Sequence, residues 1–308
     1  MTTHDHQLAF YSEHYAPVGM WQIRAGAKIV LKGSEPRTCR FCDQTTPDVT
    51  FRLEAHAIPE ALGNKGLLPR YECDSCNKLF GSKIENDLGS WSKPMRTLFR
   101  IRGKRGVPTL KSEQDGWRIE SDDGEQLHIS HNRIDNVFEV DEPNRRIRFN
   151  LRREPFVPIQ VLKALVKIGL TLLPDDEMHA FEEALVWIRS PASSSQLVVR
   201  MPVLRTTVAG PISGQLITAF LLRRLEQTRK YPYAFLILAV ANETYQIMLP
   251  SPAFDPPLDA EPLQMPGFPV PECSSGRTSP VTLDFSGTER VANQSVMVEM
   301  TYEDRIAR

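Results

Sequence analysis

Hydrophobic positions change their spacing several times along the chain, and each change predicts a different element. Gln22–Leu31 carries a short apolar alternation that suits a strand, and Gly33-Ser34-Glu35-Pro36 closes it as a turn. Phe80, Ile84 and Leu88 recur every four residues, the spacing of a short amphipathic helix. Between 116 and 150, apolar and polar residues alternate in Trp117–Glu120, Leu127–Ile129, Asn136–Val140 and Arg146–Asn150. Turn signals at Asp122-Asp123-Gly124 and Glu142-Pro143-Asn144 separate these runs, which predicts a small antiparallel sheet. Helical spacing then returns. Pro158 suits a first-turn position ahead of Val161, Leu165, Ile168 and Leu172. Pro174-Asp175-Asp176-Glu177 opens a second helix, with acids where the N-terminus favours them and Phe181, Leu185 and Ile188 on one face. Beyond Pro191 the period is that of strands: Leu197–Thr207, Leu216–Leu225, Tyr233–Ala241, Thr244–Leu249 and Val296–Tyr302, with Asn242-Glu243 as a hairpin tip. Residues 250–280 hold nine prolines and read as an extended loop.

This order of elements predicts an α+β fold in four regions. Residues 1–38 form an N-terminal extension, 39–111 a cysteine-bearing module with a basic tail, 112–190 a small β region and a helix pair, and 191–308 a β-rich C-terminal part. A length of 308 residues allows two domains, and 41% hydrophobic with 24% charged residues is ordinary for a globular chain. No stretch approaches the roughly 20 apolar residues of a membrane span. The longest apolar run, Ala234–Ala241, has the length of a strand. The opening MTTHDHQLAFYSEH lacks a basic start followed by an apolar block, so a cytoplasmic location is expected. A net charge of −1 excludes a globally basic surface but leaves room for a local patch. Such a patch is visible. Ser90–Lys111 contains seven Lys or Arg and no acid, which suits a track for a phosphate backbone, or ordinary surface.

Chemistry enters with cysteine. Four of the five cysteines fall as Cys39-Arg40-Phe41-Cys42 and Cys73-Asp74-Ser75-Cys76. In a chain without a secretion signal, two such knuckles suggest tetrahedral Zn²⁺ thiolate coordination, because a two-residue spacer lets both sulfurs of one turn face one ion. Redox thiols are the competing reading. Cys273, within the proline-rich stretch, reads as a bystander.

Between the knuckles lies Thr50-Phe51-Arg52-Leu53-Glu54-Ala55-His56-Ala57-Ile58-Pro59-Glu60-Ala61-Leu62-Gly63-Asn64-Lys65, and Asn77 follows the second knuckle at once. Two extended segments and a helix, with a His on the first and an Asn after the second CxxC, resemble the HNH endonuclease family and its ββα-metal fold. The resemblance continues weakly through Ile101–Pro108 and Lys163-Ala164-Leu165-Val166-Lys167, in a poorly characterised bacterial branch, and covers about residues 39–190. It implies a metal-dependent nuclease in which His56 is the general base and Asn77 orients its imidazole. Glu85 is then the best match to the family's last metal ligand, with Asn86 in reserve. Glu54 is a further candidate that needs a bulge, since it lies one residue before position 55 and on a regular strand points to the face opposite to that position. The implied cofactors are a structural Zn²⁺ and a catalytic Mg²⁺ or Mn²⁺. The implied partner is DNA, contacted by Lys65, Arg96, Arg100, Arg102, Lys104 and Arg105, and the C-terminal region is a place for a protein partner or oligomer contact. A role in defence against foreign DNA fits the family's range. The chain departs from the family at Ala55, where an acid or His is usual, which leaves either a ligand-poor metal site or an inactive zinc module that binds nucleic acid or protein. Trp91 and Phe99 read as base-stacking or core residues, and His128 and His131 as ordinary polar positions.

Overall fold

The computed structural model describes residues 3–112, 116–122, 126–131, 137–192, 201–208, 210, 212, 216–225, 229–256, 265–270 and 280–306. Asp123, Gly124, Asn136, residues 197–200, Cys273 and much of the proline-rich stretch lie outside the described residues. Helix α1 (Thr3–His14) leads into β1 (Tyr15–Ile23) and β2 (Ile29–Leu31). The cysteine module follows, with β3 (Leu67–Pro69), α2 (Asp74–Ser82) and α3 (Ile84–Leu98). Then come β4 (Leu110–Ser112), β5 (Trp117–Asp122), β6 (Gln126–His131), β7 (Phe138–Asp141) and β8 (Arg146–Arg152). The last part contains α4 (Pro158–Leu172), α5 (Glu182–Arg189), β9 (Val203–Thr207), β10 (Ile217–Arg224), β11 (Ala234–Val240), β12 (Glu243–Leu249), β13 (Val281–Leu283) and β14 (Ser295–Thr301). The fold is α+β. No described helix is long and apolar enough to cross a membrane.

A six-stranded sheet, ordered β1-β10-β11-β12-β9-β13 with every neighbouring pair antiparallel, forms the largest layer. Its β1 edge comes from the residues expected as an N-terminal extension: Tyr15 pairs with Arg224 and Ile23 with Ile217. The hairpin between β11 and β12 turns at Ala241-Asn242, one residue before the expected tip. Ala241 takes the left-handed conformation, and Asn242 Nδ2 donates to the carbonyls of Val208 and Gly210. Helix α4 lies on this sheet, and all of its residues except Ile159 are buried. A largely apolar helix buried on every side must be covered on every side. One flank meets β11 and β12; the other meets α3 of the cysteine module. The approach to the sheet is close at Gly169, where a Cβ would stand 2.4 Å from Leu249 Cδ2.

A smaller core forms where two three-stranded sheets, β4-β5-β6 and β14-β8-β7, meet the end of α3. Alternation along β8 points Ile147, Phe149 and Leu151 inward and Arg146, Arg148 and Arg152 outward. Strand β14 belongs here, not to the large sheet, with Ser295 opposite Arg152. Its distance from β8 in sequence hid that pairing.

Candidate functional site

The two cysteine knuckles converge. Cys39 and Cys42 sit on a tight turn in which Asp43 N–H donates to Cys39 O at 2.8 Å and Asp43 adopts φ 57°. Cys73 is the N-cap of α2 and Cys76 lies in its first turn. The four sulfurs lie within 4.8 Å of one another, and Cys42 Sγ is 3.7 Å from Cys73 Sγ. Tetrahedral zinc with Zn–S of about 2.3 Å requires sulfurs about 3.8 Å apart. The site therefore fits zinc. The Cys39 thiol is held down to about 4 by the Cys76 thiol that donates to it, whereas that donation and burial push Cys76 well up, and burial pushes Cys42 to about 11. Four sulfurs this close cannot all be thiolates without a metal.

The segment before His56 is extended but not a regular strand, which departs from the ββ arrangement expected. Asp74, in the first turn of α2, takes its place as the organiser. Thr50 Oγ1 donates to Asp74 Oδ2 at 2.5 Å and Leu53 N–H to Asp74 Oδ1 at 2.8 Å. Ala57 N–H then donates to Leu67 O at 3.0 Å. Asn64, fully buried, ties the following loop: its amide donates to the carbonyls of Ile58 and Leu67, and its oxygen accepts from Gly66 and Leu67 N–H. Gly66 has to be glycine, because a Cβ would stand 1.7 Å from Ala27 O. This framework leaves His56 half-buried between apolar Ala55 and Ala57. Burial holds its pKa below the ordinary 6.5 and Lys167 adds to that, although the carboxylates of Glu60, Glu54 and Glu85 pull the other way. At neutral pH the imidazole is therefore free to accept a proton.

The acids named from the sequence divide. Glu85, at the start of α3, has its Oε1 3.1 Å from Lys167 Nζ and lies in the electrostatic neighbourhood of His56. Glu54, half-exposed, pairs with Lys28 at 3.4 Å and also acts on His56. Asn86 is exposed, and Asn77 is half-buried one residue after Cys76. Among the described residues, the cysteine tetrad is the one group of three or more His, Cys, Asp or Glu side chains close enough to share an ion. A small cleft is lined in part by Glu54, Ala55 and Glu72.

Three residues near His56 were not singled out from the sequence: Glu60, whose carboxylate is the charge that acts on it most, Glu72, and Lys167 of α4. The signal for Lys167 was a lysine within a largely apolar helix. Burial works against its charge, yet Glu72 and Glu85 hold the ammonium protonated, above the ordinary lysine range.

The basic run is half helix, since α3 continues to Leu98. Lys93 pairs with Glu154, and Arg96 turns inward, donating to Gly89 O at 2.8 Å with its Nε buried. Arg96 is thus bonded back onto the backbone of its own helix. The turn that follows the helix stands more open. That turn, Gly103-Lys104-Arg105-Gly106, is closed by paired hydrogen bonds between its glycines and presents Lys104 and Arg105 to solvent. It packs on the short 3₁₀ helix Glu60–Leu62, four residues beyond His56: a Cβ on Gly103 would stand 3.3 Å from Glu60 O. Arg100 and Arg102 are half-buried, and Lys65 is exposed. Trp91 is core, edge-on to Phe285 at 5.2 Å with the Arg153 guanidinium 4.7 Å from its ring centroid, and Phe99 packs partly buried.

No curated protein and no solved structure matches the chain. Residues 39–91 match the family model described as HNH endonuclease.

Proposed function

With residues 39–91 taken as an HNH endonuclease module, we propose that this protein is a metal-dependent nuclease that hydrolyses phosphodiester bonds in DNA, with His56 as its general base. One observation carries the reading. His56 is a half-buried, neutral imidazole held by the loop between the two cysteine knuckles, within the field of Glu85 and beside an exposed basic turn. In this mechanism His56 accepts a proton from water as the oxygen attacks phosphorus, and the 3′-oxygen leaves. Asn77 keeps the imidazole oriented. Glu85 would hold a Mg²⁺ or Mn²⁺ ion, which supplies electrophilic stabilisation of the phosphate charge. A single carboxylate with water and substrate phosphate is an ordinary Mg²⁺ donor set. Lys65, Arg100, Arg102, Lys104 and Arg105 contact the DNA backbone in this reading. Defence against foreign DNA from a cytoplasmic location remains the setting it fits.

A second reading is favoured by Ala55 and by the lack, among the described residues, of a three-ligand cluster at His56. In it the module keeps its zinc and binds nucleic acid or protein without cutting. Incubating the full chain with plasmid DNA and Mg²⁺ or Mn²⁺, against an EDTA control, separates the two. Metal-dependent nicking supports the nuclease; binding without nicking at any metal concentration supports the second reading.

A further inference from the structure

The two charged residues of α4 are both lysines, and both are buried. Lys163 is accounted for locally. It donates to Ser190 O at 2.8 Å, to Ser190 Oγ at 3.0 Å and to Pro191 O at 3.2 Å, and so caps the end of α5. Lys167 does something else. Its Nζ is 2.9 Å from Glu72 Oε2, 3.1 Å from Glu85 Oε1 and 3.4 Å from His56 O. The ammonium also lies 5.4 Å and 5.7 Å from the ring centroids of Phe80 and Phe41. These contacts gather the residue before Cys73, the first turn of α3 and the His56 loop onto one cation from a helix outside residues 39–91.

Buried ion pairs contribute little net stability, and apolar replacements of similar volume are often neutral or stabilising. The arrangement is better understood by what it holds in place. We propose that Lys167 is a positioning residue of the nuclease centre, fixing Glu85 beside the His56 loop so that the carboxylate's second oxygen faces the divalent ion. The inference rests on reading residues 39–91 as a nuclease. Lys167 has a side chain only 1% exposed and cannot touch substrate, whereas Glu85 is 19% exposed and reaches solvent. Lys167 takes Oε1, and among the described residues no partner takes Oε2 of Glu85. Lys167 thus ties Glu85 to the backbone carbonyl of His56.

Removing Lys167 alone would strand the buried Glu72 carboxylate and threaten folding, so the test changes both. Glu72→Gln with Lys167→Met removes one charge of each sign and leaves the net charge unchanged. A change in metal affinity then reports position and not bulk charge. Mn²⁺ titrated into the zinc-loaded full chain and followed by EPR reads affinity without turnover. The wild type should bind one ion in a manner that Glu85→Ala weakens. The double variant should keep its zinc and bind Mn²⁺ about tenfold more weakly, adding Glu85→Ala should change nothing further, and half-saturating Mn²⁺ for nicking should rise by the same factor. If the Met version does not fold, Glu72→Gln with Lys167→Leu is read the same way. Wild-type affinity in the double variant, with the full Glu85→Ala effect retained, overturns the positioning role and leaves Lys167 a counter-charge for Glu72. A wild type that neither binds a Glu85-dependent ion nor nicks brings down the nuclease reading itself, and this role with it.

Discussion

At the scale of single residues, the reading stands on His56. A general base acts in the transition state, so His56→Ala should lower turnover a hundred- to ten-thousandfold while zinc content, melting temperature and DNA affinity stay near wild type. Nicking assays beside gel-shift titrations check this, and equal cutting by the variant would move the base elsewhere. Asn77→Ala should be milder, because a misoriented imidazole still works part of the time. The pH profile follows from the same side chain. Burial holds the folded pKa below 6.5, and the base must be neutral. Turnover should therefore be level at neutral pH and fall as acidity passes a midpoint below 6.5, a loss that His56→Ala should erase. His56 and Asn77 were named from the sequence for their places between and just after the cysteine knuckles. Lys167 was not, since 82 residues separate it from Glu85 and only packing brings them together.

At the scale of elements, the basic turn and the central helix make separate predictions. If Arg100, Arg102, Lys104 and Arg105 neutralise phosphates, replacing them with Ala should flatten the salt dependence of DNA binding by about one unit of slope per lost contact. Arg96→Ala should behave differently. Its guanidinium bonds Gly89 O, so its loss should lower the melting temperature and leave the salt slope nearly unchanged. In α4, two effects oppose each other at Gly169. Alanine gains up to about 1 kcal/mol of helix propensity. Its Cβ would stand 2.4 Å from a Leu249 side chain that is itself completely buried, and overpacking of that kind costs about 1–3 kcal/mol. Gly169→Ala should thus destabilise the protein by about 1 kcal/mol, read by chemical denaturation. A more stable variant would mean that the helix and sheet can separate freely.

At the scale of the whole molecule, the cysteine module is built into the core. Arg40, inside the first knuckle, donates to the carbonyls of Leu170, Thr171 and Leu173 and so caps α4, while its guanidinium stacks 3.9 Å from the Tyr71 ring centroid. Tyr71 OH donates to Thr171 O at 2.6 Å, and Arg189 donates to Phe41 O at 2.9 Å. Structural zinc supplies folding free energy. Stripping it with a chelator, or Cys73→Ser, should therefore loosen the end of α4 and the sheet beneath it along with the module. Thermal melts followed by circular dichroism should show one transition moving to lower temperature. A sheet transition that stays at its original temperature would show that the module unfolds alone.

What the sequence determined by itself is local. Periodicity placed α4, α5 and the antiparallel strands, because side-chain spacing follows directly from backbone geometry, but the one small sheet expected between 116 and 150 is two, with β5 and β6 beside β4 and with β7 and β8 beside β14. The paired CxxC spacing identified the four sulfurs that meet, since each knuckle is a short-range turn. Tertiary structure alone decided the partners across long separations. It brought β1 to β10, β14 to β8, Arg40 to the end of α4, and Lys167 between Glu72 and Glu85. It also turned Glu54 toward Lys28 and Arg96 inward. The physical reason is that a strand's pattern specifies which face is buried without specifying what covers it, and a charge in a helix specifies a need for compensation without naming the carboxylate that meets it.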